Sequence, residues 1–218
     1  MLRIYDDKRS SYFSNARVQI EPLLRKRTAR VLEIGCGTGA TTRWLRATGR
    51  IDSAWGMELM PAAANEARAH FQDVVVGDAE VLISSAYSGM MFDLMLCLDV
   101  LEHMVDPWQF LKTATTLLAP GGQLIISVPN IRCARVLLPL LLRGQWNYAE
   151  DGILDRTHLR FFTRDTAIAL ATSSGLNADR CIGLPKPNTR LAKVDRWTFG
   201  RLSEFTSLQY LVSATAPC

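Results

Sequence analysis

The sequence has no long hydrophobic run, which excludes a membrane-spanning helix as its main feature. The longest apolar stretch, residues 136–142, is interrupted by Pro139 and closed by Arg143, whereas a membrane span needs roughly 20 apolar residues. Residues 1–10 are polar and of mixed charge, unlike a secretory signal. We therefore expect a cytoplasmic protein without a membrane span.

Cysteine pairs are also missing. The chain has 5 cysteines, an odd number, and none of them forms a Cys-x-x-Cys pair. This spacing argues against a disulfide framework and against a structural zinc site. The sequence contains no Gly/Ser linker and no repeat, and 218 residues suit one domain with a substantial core.

A basic run of the kind that binds nucleic acid is absent as well. The formal net charge is +4 and comes mostly from scattered arginines, so a nucleic-acid partner is not expected. A mild positive charge of this size still favours an anionic small molecule.

What the sequence does contain is an alternation of short apolar runs and helical stretches, which is typical of an α/β protein with a doubly wound, Rossmann-like parallel sheet. Residues 92–98 are the central strand, because this apolar run suits burial on both faces. The predicted strands are 30–34, 54–57, 74–76, 92–98, 123–128, 178–182 and 210–214, and the predicted helices are 40–47, 62–71, 107–119, 131–143 and 164–173.

The most specific motif joins the first strand to the first helix. Glu33 ends the strand, and Gly35, Gly37 and Gly39 follow at alternate positions. Glycines there let a ligand lie against the main chain, where the helix N-terminus offers unpaired N–H groups. The motif indicates a nucleotide-like ligand without specifying which one.

Two acids at later strand ends extend this site. Glu58 closes the second strand, where a carboxylate is able to accept both hydroxyls of a ribose. Asp78 leaves the third strand within Gly77-Asp78-Ala79 and is either an adenine contact or a turn cap.

Taken in order, these motifs resemble class I S-adenosylmethionine-dependent methyltransferases over roughly residues 28 to 130. The resemblance implies a three-layer αβα sandwich whose seven-stranded, mostly parallel sheet has a reversed last hairpin. It also implies S-adenosylmethionine as cofactor. The implied contacts are Glu33, Gly35, Gly37 and Gly39 for the methionine part, Glu58 for ribose, Asp78 and Ala79 for adenine, and Leu98 and Asp99 beneath the methionine part. Leu59 is a further predicted cofactor-binding residue.

The segment from Asn147 to Thr163, with Asp155-Arg156-Thr157-His158-Leu159-Arg160 at its centre, is similar to a branch of this family. Members of that branch are associated with small metabolites and cell-surface glycans. We therefore predict a single methyltransferase domain over residues 1–218 with substrate-side insertions at 131–163 and 184–207. Tyr12 and Phe13 are predicted to close over the cofactor.

Transfer of a methyl group to a hydroxyl benefits from a general base, and histidine suits that role at neutral pH. His103 follows the fourth strand and His158 lies in the substrate-side segment, so both are candidate catalytic residues. No metal is predicted, although Asp99, Glu102 and His103 form an alternative metal-binding set. Arg156, Arg160 and Arg164 are candidate ligands for an acceptor's phosphate or carboxylate.

The predicted function is O-methylation of a small-molecule or sugar hydroxyl, by a monomer or a homodimer. The alternatives are an NAD-dependent oxidoreductase using the same glycine loop, and a non-catalytic protein that binds the cofactor. Methylation of nucleic-acid amines is disfavoured, because Cys97-Leu98-Asp99-Val100 replaces the Asn/Asp-Pro-Pro-aromatic motif of those enzymes.

Overall fold

The computed structural model describes residues 15–185, 193 and 196–218. They form a seven-stranded sheet with the order β3-β2-β1-β4-β5-β7-β6. All neighbouring strands are parallel except β7, which runs antiparallel to β5 and β6. The predicted Rossmann-like αβα fold with a reversed last hairpin is confirmed.

The strands are β1 (Thr28–Ile34), β2 (Ile51–Glu58), β3 (Asp73–Val76), β4 (Phe92–Leu98), β5 (Leu118–Pro129), β6 (Asn177–Pro185) and β7 (Ser207–Thr215). The helices are α1 (Ala40–Ala47), α2 (Pro61–Ala67), α3 (Ala79–Leu82), α4 (Pro107–Ala114), α5 (Ala134–Arg143), α6 (Arg164–Thr172) and α7 (Ser203–Thr206). Short 3-10 segments lie at Val18–Leu23, Arg68–His70, Leu101–His103 and Thr115–Leu117. No helix in the described part of the chain has the length and apolarity that a membrane crossing requires.

Side chains that point alternately to the two faces of the sheet divide the core into two apolar clusters. In β4, Met95 and Cys97 belong to one cluster, whereas Leu94 and Leu96 belong to the other. All four side chains are fully buried, because successive side chains of a strand point to opposite faces and helices cover both. Burial on both faces is what the sequence predicted for the central strand, and β4 is the middle strand of the sheet.

Local sequence signals set the starts of α4 and α6 and the end of α1 where they were predicted, whereas α4 ends at Ala114 instead of near Ala119. Asp106 caps α4 by accepting a hydrogen bond from Gln109 N (3.0 Å), and Pro107 occupies the first turn. Thr163 forms a capping box with Thr166 at the start of α6. Gly49 follows α1 with φ of +66°, the left-handed conformation that favours glycine.

The fifth strand differs from its prediction. It begins at Leu118 rather than at Gln123, so the Pro-Gly-Gly sequence lies inside the strand, next to a register shift opposite Phe92 and Leu94. Gly121 has φ of +70°, and a Cβ on Gly122 would lie 2.7 Å from the Ala119 carbonyl oxygen. Two consecutive glycines therefore permit a bulge in place of a separate turn.

Candidate functional site

The glycine loop and the ends of β1 to β4 surround a cleft with an empty volume of about 1040 Å³, counting its solvent-open mouth. Nine of the predicted cofactor residues line the cleft: Glu33, Gly35, Gly37, Glu58, Leu59, Asp78, Ala79, Leu98 and Asp99. Parallel strands end at the same edge of the sheet, so residues that are distant in sequence meet there.

Gly39 is the predicted cofactor residue that does not line this cleft. It is the N-cap residue of α1 with φ of +80°, and a Cβ there would lie 3.0 Å from the Phe71 ring. The structure therefore gives Gly39 a role in turning and packing the chain, and its cofactor contact stays a prediction.

Glu33 lies at the floor of the cleft and is 3% exposed. Thr42 donates a hydrogen bond to its Oε2 at 2.6 Å. Burial raises the pKa of Glu33 to about 7, although the hydrogen bonds from Thr42 and Thr41 act in the opposite direction. Its protonation state is therefore sensitive to any cation that enters the cleft.

Glu58 bridges the glycine loop and the end of β2. Its Oε2 accepts a hydrogen bond from Gly37 N at 2.8 Å, and its Oε1 accepts one from Met60 N at 2.9 Å. Burial raises the pKa of Glu58, and the backbone donors counter that effect. The carboxylate thus holds the loop in place and also faces the cleft.

Asp78 has the predicted cap role, and its contact with adenine stays a prediction. Its Oδ1 accepts a hydrogen bond from Glu80 N at 2.9 Å and so caps α3, a short helix that the sequence did not indicate. It also lines the cleft together with Ala79. The cap fixes the backbone at the place where the family resemblance puts adenine.

Asp99 forms the wall between this cleft and a second cavity. Its φ is +57°, a left-handed conformation that is uncommon for residues other than glycine and that Asn and Asp tolerate best. Ser127 Oγ donates to Asp99 Oδ1 at 2.6 Å, Gln209 Nε2 donates to the same oxygen, and Arg17 pairs with Oδ2 at 2.6 Å. Both carboxylate oxygens are therefore engaged.

The second cavity has an empty volume of about 1300 Å³ and lies against the substrate-side segment. Its lining includes Arg135, Val136, residues 151–155 and His158. Arg17, Asp99 and His103 line both cavities. The sequence did not indicate Arg17 as a site residue, because it belongs to no motif in the segment before the first strand.

His103 and His158, predicted separately, lie side by side. Their ring centroids are 4.7 Å apart in an edge-on arrangement, and both side chains are nearly buried. His103 Nδ1 contacts the Thr157 carbonyl oxygen at 3.1 Å, and His158 Nδ1 contacts that of Ile153 at 3.0 Å. A carbonyl only accepts hydrogen bonds, so each ring carries its proton on Nδ1.

Glu102 completes this group. It is 1% exposed, and its Oε1 lies 3.9 Å from His158 Nε2. Burial, followed by the nearby Asp99 charge, raises the pKa of Glu102 well above its ordinary value. Burial, followed by the charge of His158, lowers the pKa of His103 to about 4.

The three arginines of the substrate-side segment do not act as one group. Arg156 pairs with Glu150 at 3.2 Å, Arg160 donates to the Val105 carbonyl, and Arg164 pairs with Asp165 at 3.4 Å. Each arginine thus has a neighbour of its own. Tyr12 and Phe13, predicted to close over the cofactor, lie outside the described residues.

The fold, the glycine loop and the acidic strand ends define a class I S-adenosylmethionine-dependent methyltransferase. A family model described as "Methyltransferase domain" matches residues 5–180, and the chain belongs to that family. Its cofactor is therefore S-adenosylmethionine.

Curated relatives and solved structures agree with this assignment. The chain is 28% identical over 203 residues to a ubiquinone biosynthesis O-methyltransferase of Xanthomonas oryzae pv. oryzae, covering 87% of this chain and 77% of the relative. It is 28% identical over 146 residues to the Coxiella burnetii protein of the same name, covering 60% of each chain. The match thus spans less than two thirds of that relative's length.

Two solved structures share the fold. One is a SAM-dependent methyltransferase from Archaeoglobus fulgidus, with a TM-score of 0.67, 16% identity and 98% coverage of both chains. The other, from Thermotoga maritima, is described as a possible histamine N-methyltransferase, with a TM-score of 0.64, 21% identity and 99% coverage of both chains. Identities this low carry the fold and leave the acceptor open.

Proposed function

We propose that this protein transfers the methyl group of S-adenosylmethionine to a hydroxyl of a small molecule or glycan held in the second cavity. One observation carries the proposal: the cofactor cleft and the second cavity share a wall, and two buried histidines lie beside it. The names of the O-methyltransferase relatives support a hydroxyl acceptor.

In this reaction the acceptor oxygen attacks the methyl carbon in line with the breaking C–S bond. A new C–O bond forms, the sulfonium becomes a neutral thioether, and the hydroxyl proton must leave. We propose His158 as the proton acceptor, because an imidazole protonated on Nδ1 has a basic Nε2. His103 lines both cavities and is proposed to contact the acceptor beside the methyl group.

The remaining features of the site suit this chemistry. The sulfonium is already activated, so the protein mainly aligns donor and acceptor and excludes water. The pairing of Asp99 with Arg17 fixes the wall between the two ligands. Membership of the methyltransferase family disfavours the NAD-dependent alternative. The cytoplasmic location and the monomeric or homodimeric state stay predictions.

The first test is calorimetric titration with S-adenosylhomocysteine, run beside NAD. We expect binding of the first ligand alone, and binding of NAD alone would overturn the proposal. An acceptor screen would then begin with sugars, phenols and other hydroxylated metabolites. If S-adenosylhomocysteine binds but no hydroxyl in such a screen is methylated, the cofactor assignment stands and the proposed reaction is wrong.

Two histidine variants test the assignment of His158 as the proton acceptor. His158→Ala should leave S-adenosylhomocysteine binding within about twofold and lower turnover by roughly 10²-fold or more, the usual contribution of a general base. His70→Ala is the matched control, because His70 lies outside both cavities and should retain turnover. Equal turnover in the two variants would exclude His158 as a catalytic residue.

A further inference from the structure

Among the described residues that line the second cavity, one arginine has no protein partner. Two arginines lie in this lining, Arg17 and Arg135. Arg17 pairs with Asp99 Oδ2 at 2.6 Å, whereas the side chain of Arg135 forms no hydrogen bond or ion pair with any residue that the structure describes. A free guanidinium in a cavity suits a carboxylate or a phosphate, which it binds through two parallel N–H donors.

Burial distinguishes two ends of the cavity. Glu102, His103 and His158 are at most 8% exposed, so the proposed reaction lies at the buried end. Arg135 is the second residue of α5 and is exposed, although Val136 beside it is buried. Because the N-terminal end of a helix carries partial positive charge, the first turn of α5 adds to the charge of Arg135 at the exposed end.

Apolar side chains form another part of the lining. Val136, Ile153, Leu154 and Leu208 face the cavity and offer hydrocarbon contacts to the body of a ligand. A molecule that satisfies the whole lining therefore has a hydroxyl at the buried end, an apolar or ring-shaped body, and a negative charge at the exposed end beside Arg135.

Three further acids line the cavity, and none of them neutralises Arg135. Asp155 is 1% exposed, and its Oδ1 accepts hydrogen bonds from Thr157 N at 2.9 Å and Thr157 Oγ1 at 2.8 Å. Burial raises the pKa of Glu102 well above its ordinary value, which favours the neutral carboxyl. Asp151 is exposed and forms no ion pair with Arg135 in the part of the chain that the structure describes.

We infer that Arg135 binds an anionic group of the methyl acceptor, a carboxylate or a phosphate, and so selects an anionic acceptor. The inference rests on the proposed function, which puts the reacting hydroxyl beside His158. The sequence suggested Arg156, Arg160 and Arg164 for this role, but each of them already has a partner. Arg135 determines specificity and takes no part in proton transfer.

The test is calorimetric binding of matched probes by the full chain saturated with S-adenosylhomocysteine. Glucuronate and glucose 6-phosphate are compared with neutral glucose, and 3-hydroxybenzoate is compared with neutral 3-hydroxybenzamide. We expect a charged probe to bind about tenfold more tightly than its neutral counterpart, and the two charged sugars distinguish a carboxylate from a phosphate. Arg135→Ala should abolish the preference, whereas Asp151→Asn, which changes a charge at the same exposed end, should keep it.

Titration with S-adenosylhomocysteine shows that each variant is folded. Equal affinity for charged and neutral probes, or no binding of any charged probe, would overturn the inference, and so would a preference that Arg135→Ala retains. Because no methyl transfer is measured, failure of the methylation screen leaves this result unaffected. Methylation of a neutral hydroxyl with equal kcat/KM by the parent and by Arg135→Ala would exclude the role of Arg135 and leave the proposed reaction standing.

Discussion

Protonation of Glu33 should control how tightly the cofactor binds. Burial raises its pKa to about 7 in the protein without ligand, so near neutral pH the carboxyl is only half ionised. The family resemblance places the methionine part of S-adenosylmethionine, which carries an ammonium group, beside this residue. The ammonium group interacts favourably with the carboxylate form, so binding should lower the pKa of Glu33 and release a proton.

The expected change in affinity follows from the ionised fraction of Glu33 at each pH. With a pKa of about 7, the ionised fraction of Glu33 is about 0.09 at pH 6 and about 0.76 at pH 7.5. If only the ionised form binds the ammonium group, affinity should rise about eightfold over this range, equivalent to roughly 1.2 kcal/mol. The sign is set by the raised pKa, because the neutral carboxyl must lose its proton before it pairs with the cation.

Calorimetric titration with S-adenosylhomocysteine in two buffers of different ionisation enthalpy measures both the affinity and the proton release. Glu33→Gln should weaken binding and remove most of the pH dependence, and any slope that remains belongs to other groups. Affinity that does not change between pH 6 and 7.5, with no proton released, would refute the reasoning.

Three further predictions concern the same cleft. Glu33→Gln should stabilise the ligand-free protein at about pH 8 by up to roughly 3 kcal/mol in urea unfolding, because the raised pKa means that ionising this buried acid costs stability. Gly35→Ala should destabilise by about 1–3 kcal/mol, since its Cβ would overlap Val100, and cost more than Gly49→Ala, which has a similar φ but open space around it. Glu58→Ala should weaken S-adenosylhomocysteine binding about tenfold or more, because it removes the acceptor of Gly37 N as well as the proposed ribose contact, and unchanged binding would contradict that role.

The cofactor half of the molecule was predictable from sequence because its signals are local. Glycine spacing after Glu33 and the apolar run of β4 determine backbone geometry within a few residues, and parallel strands then place their ends at one edge. Prediction was less good where a residue had two uses. Asp78 was expected as a contact or a cap and serves as a cap on the cleft wall, and Gly39 packs against Phe71 instead of lining the cleft.

The second cavity was not predictable in the same way, because long-range contacts build it. Sequence spacing grouped Glu102 and His103 with Asp99, whereas the structure groups them with His158. That pairing depends on hydrogen bonds from Leu159 N and Arg160 N to the Glu102 carbonyl, which no periodicity or motif encodes. The ion pair between Arg17 and Asp99 likewise joins residues that are far apart in the chain.

Asp99 connects these two parts of the molecule. Holding a residue other than glycine at positive φ costs of order 1–3 kcal/mol, and here Ser127, Gln209 and Arg17 over-determine the conformation. Because Ser127 and Gln209 lie on β5 and β7, the wall between cofactor and acceptor is fixed by the sheet and not by a loop. In-line transfer needs donor and acceptor held within a few tenths of an ångström. The strained residue therefore lies where the proposed reaction requires the greatest rigidity.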